Sequence, residues 1–284
     1  MVITIKNEIL TARINTRGAE LVGLQKNGAE YIWEADPKYW DGCAPVLFPM
    51  ASFVQDGIYT HNGKTYPLPL HGFARDCVYD VVEQSESKVV LRLVQNNLTR
   101  LVYPFKFDFC ASFELKGDKL DMNFIVKNLS ETEDMYFNTG AHEGFKLLDG
   151  TDIADHYIEF EKKEHLKQQV VDGPISADNV IDYGETDIFE LNDEIFAVDG
   201  AFFLNIESDY VTLKSKTSDK AVRVYFDCST LGFWKVVGAG YLCIEPWDGF
   251  CPFAGDGHEL KEKRFIKTLK PNSEYTFYHG VQII

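Results

Sequence analysis

The chain has 284 residues, of which 45% are hydrophobic and 14% aromatic, and its formal net charge is −16. A composition this apolar supports a packed core, so it excludes an intrinsically disordered chain and a small protein held together by disulfides. The strong negative charge repels polyanions, and we therefore expect neither nucleic acid nor an anionic membrane surface as a partner.

Short strands are predicted along most of the chain, because apolar and polar residues alternate with a period of two. The clearest case is residues 119–127, in which Leu120, Met122, Phe124 and Val126 are apolar and most of the residues between them are polar. In chain order, the predicted strands are residues 2–5, 10–14, 78–82, 88–94, 107–115, 119–127, 202–206, 222–226, 241–244 and 264–269. Each is bounded by turn-forming Gly, Asn, Asp, Ser or Pro.

Residues 40–72 interrupt this pattern with four prolines and four glycines. So many breakers predict a long loop across a sheet face rather than a continuous strand. Loops of this kind on a rigid scaffold often carry binding groups, so functional residues are expected here.

The order of elements predicts an all-β fold. Segments with helical periodicity are nearly absent, no repeat of 20–50 residues is visible, and no linker divides the chain. We therefore expect one large antiparallel β-sandwich that spans residues 1–284 as a single domain.

The cellular setting follows from three further features. Residues 1–10 contain Lys6 and Glu8 and lack a cleavage site, so they predict no export signal. The longest nearly apolar stretch, residues 43–54, is shorter than the ~20 residues that a membrane-spanning helix needs. The six cysteines form no CxxC pair, which favours a cytoplasmic protein with reduced thiols.

Three short stretches place ionisable side chains beside glycine, proline or aromatic residues. They are residues 70–75 (LHGFAR), 139–145 (TGAHEGF) and 243–249 (CIEPWDG). Taken singly, each is weak evidence, because a histidine or glutamate at a strand end more often serves as a structural hydrogen-bonding group.

Together with residues 18–21 (GAEL), 31–33 (YIW) and 44–49 (APVLFP), these stretches resemble the aldose 1-epimerase, or galactose mutarotase-like, family, and most closely its bacterial LacX-like branch. The resemblance covers nearly the whole chain. It implies a β-sandwich of the galactose mutarotase type and an enzyme that interconverts the α and β anomers of a small-molecule aldose. It implies no metal and no organic cofactor, and it leaves a monomer or a homodimer open.

The resemblance also implies roles for three residues. His71 matches a histidine that binds near the sugar ring oxygen, His142 matches the general acid, and Glu245 matches the general base. The chemistry requires such a pair, because ring opening removes a proton from the C1 hydroxyl and adds one to the ring oxygen. Glutamate and histidine, with ordinary pKa values of about 4.3 and 6.5, can exchange protons near neutrality.

Four further residues are candidates for substrate binding. By the resemblance, Arg75 lines the pocket, and Asp199 matches a substrate-binding aspartate. Trp247 and Phe73 lie inside the motifs, where an aromatic ring can support the C–H face of a sugar, and Trp40 lies nearby. Most of the aromatic residues are nevertheless expected in the core.

The sequence departs from the family pattern at several positions. Gly42 and Cys43 stand where relatives usually carry basic residues, and residues 51–54 lack a common arginine. Fewer cationic donors favour a neutral aldose over a sugar phosphate, although Arg75 keeps the phosphate open. Glu143 replaces a frequent proline and either raises the proton affinity of the preceding histidine or points away from it.

Other functions remain open at this point. A non-catalytic carbohydrate-binding protein would need the same pocket, and a hexose-6-phosphate mutarotase would need an added phosphate site. A glycosidase would need a second carboxylate beside Glu245, for which Asp248 or Glu143 could serve. Two histidines and a glutamate could also bind a metal, although no metal-binding motif is present. The remaining histidines are predicted to be surface or structural residues: His61, His156, His165, His258 and His279.

Overall fold

The computed structural model describes residues 1–148 and 152–284, and strands dominate this part of the chain. In chain order the strands are β1 (Val2–Lys6), β2 (Leu10–Asn15), β3 (Glu20–Lys26), β4 (Ala29–Glu30), β5 (Ile58–His61), β6 (Lys64–Pro67), β7 (Asp80–Gln84), β8 (Lys88–Val94), β9 (Phe107–Lys116), β10 (Lys119–Asn128), β11 (Met135–Phe137), β12 (Thr139–Gly140), β13 (Glu143–Lys146), β14 (His156–Gln169), β15 (Val180–Glu190), β16 (Ala201–Leu204), β17 (Tyr210–Ser215), β18 (Ala221–Phe226), β19 (Thr230–Trp234), β20 (Tyr241–Asp248), β21 (Lys267–Leu269) and β22 (Glu274–Ile283).

Helices are few and short. The only α-helix in the described ranges is α1 (Thr99–Val102), and the 3-10 helices there are Gln55–Gly57, Ala74–Asp76, Ile153–Asp155, Asp193–Phe196 and Leu260–Glu262. Within residues 1–148 and 152–284, no helix has the length and apolarity needed to cross a membrane.

The strands form one very large sheet and three small ones, and every pairing between these strands is antiparallel. The large sheet has the order β12-β20-β19-β16-β14-β17-β18-β22-β10-β9-β8-β7, with β13 beside β20 and β15 beside β14. Strands β1–β4 form a four-stranded sheet. Its side chains Ile5 and Leu24 share one hydrophobic core with Phe109 and Phe124 of the large sheet, so the predicted β-sandwich is confirmed.

Strands whose residues are alternately buried and exposed are the ones that apolar alternation in the sequence can predict. Every second residue of β10 is buried, and this strand coincides with the predicted residues 119–127. By contrast, β14 and β15 were not predicted. They form a long hairpin in which β15 pairs only with β14, and most of its residues are at least partly exposed. Charged residues fill such positions, so the apolar alternation disappears.

The loop predicted at residues 40–72 contains one hairpin, formed by β5 and β6, and is otherwise free of extended strands. Single backbone bridges connect it to the rest of the protein at Leu47–Gly140 and Thr60–Glu259, and a bridge between Phe48 and Gly72 closes the loop on itself. The loop therefore lies against the edge of the large sheet beside β12.

A tight turn at the end of this loop positions His71. His71 and Gly72 both adopt positive φ angles, 63° and 72°. The amide of His71 donates to the carbonyl of Ser52 (2.7 Å), and the amide of Phe73 donates to Phe48 (3.1 Å). A Cβ atom on Gly72 would lie 2.2 Å from the carbonyl oxygen of Phe48, so only glycine fits here.

We predict that Gly72→Ala destabilises the protein more than Gly63→Ala does. Both glycines have a φ of +72°, but a Cβ on Gly63 would meet no atom within 4 Å. Gly63→Ala should therefore cost only the left-handed strain, about 1 kcal/mol, and Gly72→Ala a further ~1–3 kcal/mol for steric overlap. Urea unfolding measures both free energies, and equal losses would show that the turn relaxes freely.

Candidate functional site

The site begins at an interruption in strand pairing. Strands β12 and β13 both pair with β20, but the ladder is broken between them at residues 141 and 142. The amide of Ala141 donates to the carbonyl of Pro246 (3.0 Å), so the two chains remain adjacent there. His142 consequently faces Glu245, and its Nε2 lies 3.3 Å from Glu245 Oε2. The fold thus brings the predicted acid and base into contact.

His71 completes the group of three. Its ring lies edge-on to the ring of His142, with centroids 5.4 Å apart. The backbone amide of Ser52 donates to His71 Nδ1 (3.0 Å), which assigns the proton of the neutral ring to Nε2. Burial, followed by the proximity of His142, lowers the pKa of His71 well below its ordinary value. His71 is therefore a neutral hydrogen-bond donor.

These three side chains line one cavity of about 330 Å³. Among the predicted binding residues, Arg75, Asp199 and Trp247 also line it. The first two side chains carry opposite charges, and Trp247 supplies an apolar wall. A volume of this order is typical of a small-molecule site, which takes about 300–1,000 Å³.

Aromatic rings form much of the cavity wall. Trp40 stacks on His142 with centroids 5.3 Å apart, and Trp234 contacts the same imidazole edge-on at 5.7 Å. Phe202, which also lines the cavity, packs against Trp247 with ring centroids 5.0 Å apart. Sequence reasoning did not find Trp234 or Phe202. The apolar run at residues 230–234 was the available signal for Trp234, but it does not distinguish a cavity wall from core.

Phe73 was predicted to bind substrate, but the structure places it in the core. Its ring packs in the hydrophobic core against Phe48, Tyr103 and Phe107, with centroid distances of 6.3, 6.1 and 6.0 Å. It does not line the cavity. The two left-handed residues before Phe73 reverse the chain, so His71 and Phe73 point to different sides of the turn.

Several polar atoms at the cavity lack partners. In the described part of the chain, His142 Nδ1, Trp247 Nε1 and both carboxyl oxygens of Glu245 are buried and make no well-aligned hydrogen bond. Buried polar groups are normally satisfied, and leaving one unsatisfied costs about 1–3 kcal/mol. A ligand rich in hydroxyl groups could satisfy all four atoms.

Burial controls the charge of the central pair. It raises the pKa of the Glu245 carboxyl well above its ordinary value, and the carboxylates of Asp199 and Glu143 raise it further. Burial also lowers the pKa of His142 to about 3. In this geometry the proton therefore resides on Glu245 beside a neutral imidazole. An ion pair holds the same number of protons and differs only in the position of one of them.

Other acidic residues near the motifs point away from the cavity. Glu143 Oε1 lies 3.0 Å from Nε2 of His279, and both side chains are buried in the core. Asp248 accepts from the hydroxyl of Tyr275 and pairs with Lys267 at 2.8 Å. Neither acid lines the cavity, so neither provides the second carboxylate that a glycosidase would need there.

A metal-like grouping occurs beside the pair. Donor atoms of His142, Cys243 and Glu245 lie within 4.8 Å of one another. A thiol binds a metal as its thiolate, but burial raises the pKa of Cys243 well above its ordinary value. These donors therefore suit a hydrogen-bonding ligand better than a metal ion.

Comparisons with known proteins show a similarity that extends over nearly the whole chain. A sequence model of the aldose 1-epimerase family matches residues 1–281. The plasmid and chromosomal forms of protein LacX from Lactococcus lactis subsp. lactis are each 28% identical to this chain over 288 residues, covering 95% of either chain.

Solved structures show the same fold. A galactose mutarotase related enzyme from Lactobacillus acidophilus has a TM-score of 0.94 at 29% identity, covering 100% of this chain and 97% of its own. A galactose mutarotase-like protein from Lactobacillus casei ATCC 334 has a TM-score of 0.91 at 28% identity, with both chains covered completely. The predicted sandwich of the galactose mutarotase type is therefore confirmed.

We predict that Glu245→Gln stabilises the protein at pH 7. Between the unfolded pKa of about 4.3 and the raised folded pKa, the folded carboxyl keeps its proton while the unfolded one loses it, so stability falls as pH rises. Glutamine does not ionise, so the variant does not lose stability in this way as the pH rises. Thermal unfolding should show a higher melting temperature for the variant at pH 7 and a difference that shrinks toward pH 4.

Glu164→Gln provides the matched control, because Glu164 is also buried but accepts from Glu207 N (3.1 Å), Ser208 N (2.8 Å) and Ser208 Oγ (2.6 Å). A glutamine at position 164 would place its NH2 group against these hydrogen-bond donors. The free energy of unfolding of this variant should therefore fall by about 1–3 kcal/mol. A loss of stability in Glu245→Gln at pH 7 would contradict the proposed environment of Glu245.

Proposed function

Because this chain belongs to the aldose 1-epimerase family, we propose that it is an aldose mutarotase that interconverts the α and β anomers of a neutral hexose. The observation that carries the proposal is the 3.3 Å contact between His142 and Glu245 inside a cavity of molecular size. A general acid and a general base are the two groups that ring opening requires.

The short contact agrees with the geometry of the reaction. The C1 hydroxyl and the ring oxygen are bonded to the same carbon, so the acid and base must converge on neighbouring atoms. The ionised Glu245 removes the hydroxyl proton, while protonated His142 delivers a proton to the ring oxygen. The bond between C1 and the ring oxygen then breaks and leaves an aldehyde and a free hydroxyl.

Reclosure reverses these transfers after rotation about the C1–C2 bond. Ring opening leaves Glu245 protonated and His142 neutral, which is the protonation state that burial favours. Sugar hydroxyl groups that donate to Glu245 would stabilise its ionised form and return the pair to the state that opens the ring. His71 contributes a neutral N–H that can hold the ring oxygen in place.

The charges around the cavity support a neutral sugar. Arg75 is the one cationic residue among the described lining residues, whereas Asp199 and Glu245 both carry carboxyl groups. Arg75 also lies 4.0 Å from Asp76. A phosphate would meet a single guanidinium, whereas phosphate sites normally provide several charge-assisted donors.

A cytoplasmic setting belongs to the same proposal. All six cysteines are free. Burial raises the pKa of Cys43 and Cys251 to about 12, so these thiols stay protonated and unreactive. Such thiols are typical of a reducing compartment.

We expect Glu245→Gln and His142→Asn each to slow mutarotation by ~10²–10⁴-fold, because each removes one proton-transfer group. Polarimetry on freshly dissolved α-glucose and α-galactose measures the rate. His258→Asn is the control, since His258 pairs with Asp56 (3.4 Å) and does not line the cavity. Its rate should be unchanged.

Activity within threefold of the parent protein for either site variant would remove that residue from the mechanism. A parent protein that binds sugars without accelerating their anomerisation would instead be a carbohydrate-binding protein.

We also expect glucose to be converted with a kcat/KM at least about tenfold higher than that of glucose 6-phosphate, because the cavity offers a phosphate only one guanidinium, that of Arg75, among the described lining residues. NMR exchange spectroscopy measures both rates. A preference for the phosphate that disappears in Arg75→Gln would identify a hexose-6-phosphate mutarotase instead.

A further inference from the structure

A second cleft opens directly beside the cavity. It has a volume of about 340 Å³ and shares Val171 and Asp199 with the cavity. One side is formed by the β14–β15 hairpin, and the other by residues 192–200. Because the two volumes are nearly equal, the cleft can hold a ring of the same size as the ring in the cavity.

A β-bulge presents an aromatic ring to this cleft. On β15, Gly184 pairs with Leu166 and Asp182 pairs with Lys167, which leaves Tyr183 as the extra residue. Gly184, next to the bulge, has a φ of +72°, which glycine adopts without strain. Bulges redirect side chains and often lie next to active sites.

The ring of Tyr183 is held in place. Its hydroxyl donates to Gln168 Oε1 at 2.7 Å, and its ring contacts Phe189 edge-on with centroids 5.3 Å apart. Even so, 40% of the residue remains exposed. Tyr183 is therefore a fixed aromatic surface that is open to a ligand.

The lining of the cleft is amphipathic and lacks cations. Exposed apolar surface is provided by Ile181 (46% exposed) and Val198 (70% exposed), and polar groups by Asn192 and Glu194. No lysine or arginine lines the cleft within the described residues. Apolar side chains grouped in this way indicate a binding surface. The missing cations and the acid Glu194 favour a neutral ligand over an anionic one.

We propose that this cleft binds the second ring of a reducing disaccharide, or of a longer reducing oligosaccharide, whose reducing-end aldose occupies the cavity. This inference rests on the proposed mutarotase function. The reaction needs a free anomeric centre on one ring only, so another hydroxyl of that ring can carry a second sugar. The C–H face of the second ring lies on Tyr183, and Asp199 faces the junction of the two rings.

Three disaccharides with glucose at the reducing end, namely maltose, cellobiose and lactose, test this proposal against glucose itself. NMR exchange spectroscopy gives kcat/KM for anomerisation of the reducing ring. At least one disaccharide should exceed glucose. Tyr183→Ala should lower kcat/KM for that disaccharide by about tenfold, the value of one lost aromatic contact, and change that for glucose less than twofold.

Tyr183→Phe is the matched control, because it removes the hydroxyl bonded to Gln168 but keeps the ring. It should retain the advantage of the disaccharide, and urea unfolding verifies that both variants fold. If no disaccharide exceeds glucose, or if Tyr183→Ala lowers both rates equally, the second site is wrong. If no sugar is accelerated at all, the mutarotase function itself is wrong, and the inference falls with it.

Discussion

The contact between His142 and Glu245 is the constraint on which the site depends. Both side chains are buried, and His142 Nε2 lies 3.3 Å from Glu245 Oε2, while His142 Nδ1 has no hydrogen-bond partner among the described residues. Placing unsatisfied polar groups in a protein interior costs stability, so the large shared core of the sandwich must offset it. The common register of β12 and β13 on β20 creates the contact, because Gly140 pairs with Trp247 and Glu143 with Ile244, which places His142 directly opposite Glu245.

Environment, rather than residue type, distinguishes the proposed catalytic acid from a structural acid in this protein. Glu164 is buried among three donors from Glu207 and Ser208 and fixes a loop. Glu245 is equally buried, but aromatic walls replace the donors. Burial raises the pKa of its carboxyl well above the ordinary value, and neither oxygen has a well-aligned hydrogen bond within the described residues. A buried glutamate keeps oxygens available for proton transfer where the protein supplies no hydrogen-bond donors to them.

Apolar alternation predicted several strands with one buried face, although it missed others such as β22. Strand β8 has the predicted bounds, and β10 extends them by one residue. The same signal stopped β20 at residue 244, although the strand continues to Asp248 and carries Glu245 within it. The β14–β15 hairpin was missed because its exposed positions carry charged residues. The cleft beside the cavity, which this hairpin forms, was therefore invisible in the sequence.

The sequence by itself determined the all-β class and, through the family resemblance, indicated His71, His142 and Glu245 as candidate site residues. These features are local, because short motifs and period-two alternation can be recognised without knowing which strands pair. Only the tertiary structure decided that Phe73 packs in the core, that Trp234 lines the cavity and that Glu143 turns toward His279. The direction of a side chain depends on which strands meet and in what register, and residues far apart in the chain set that register.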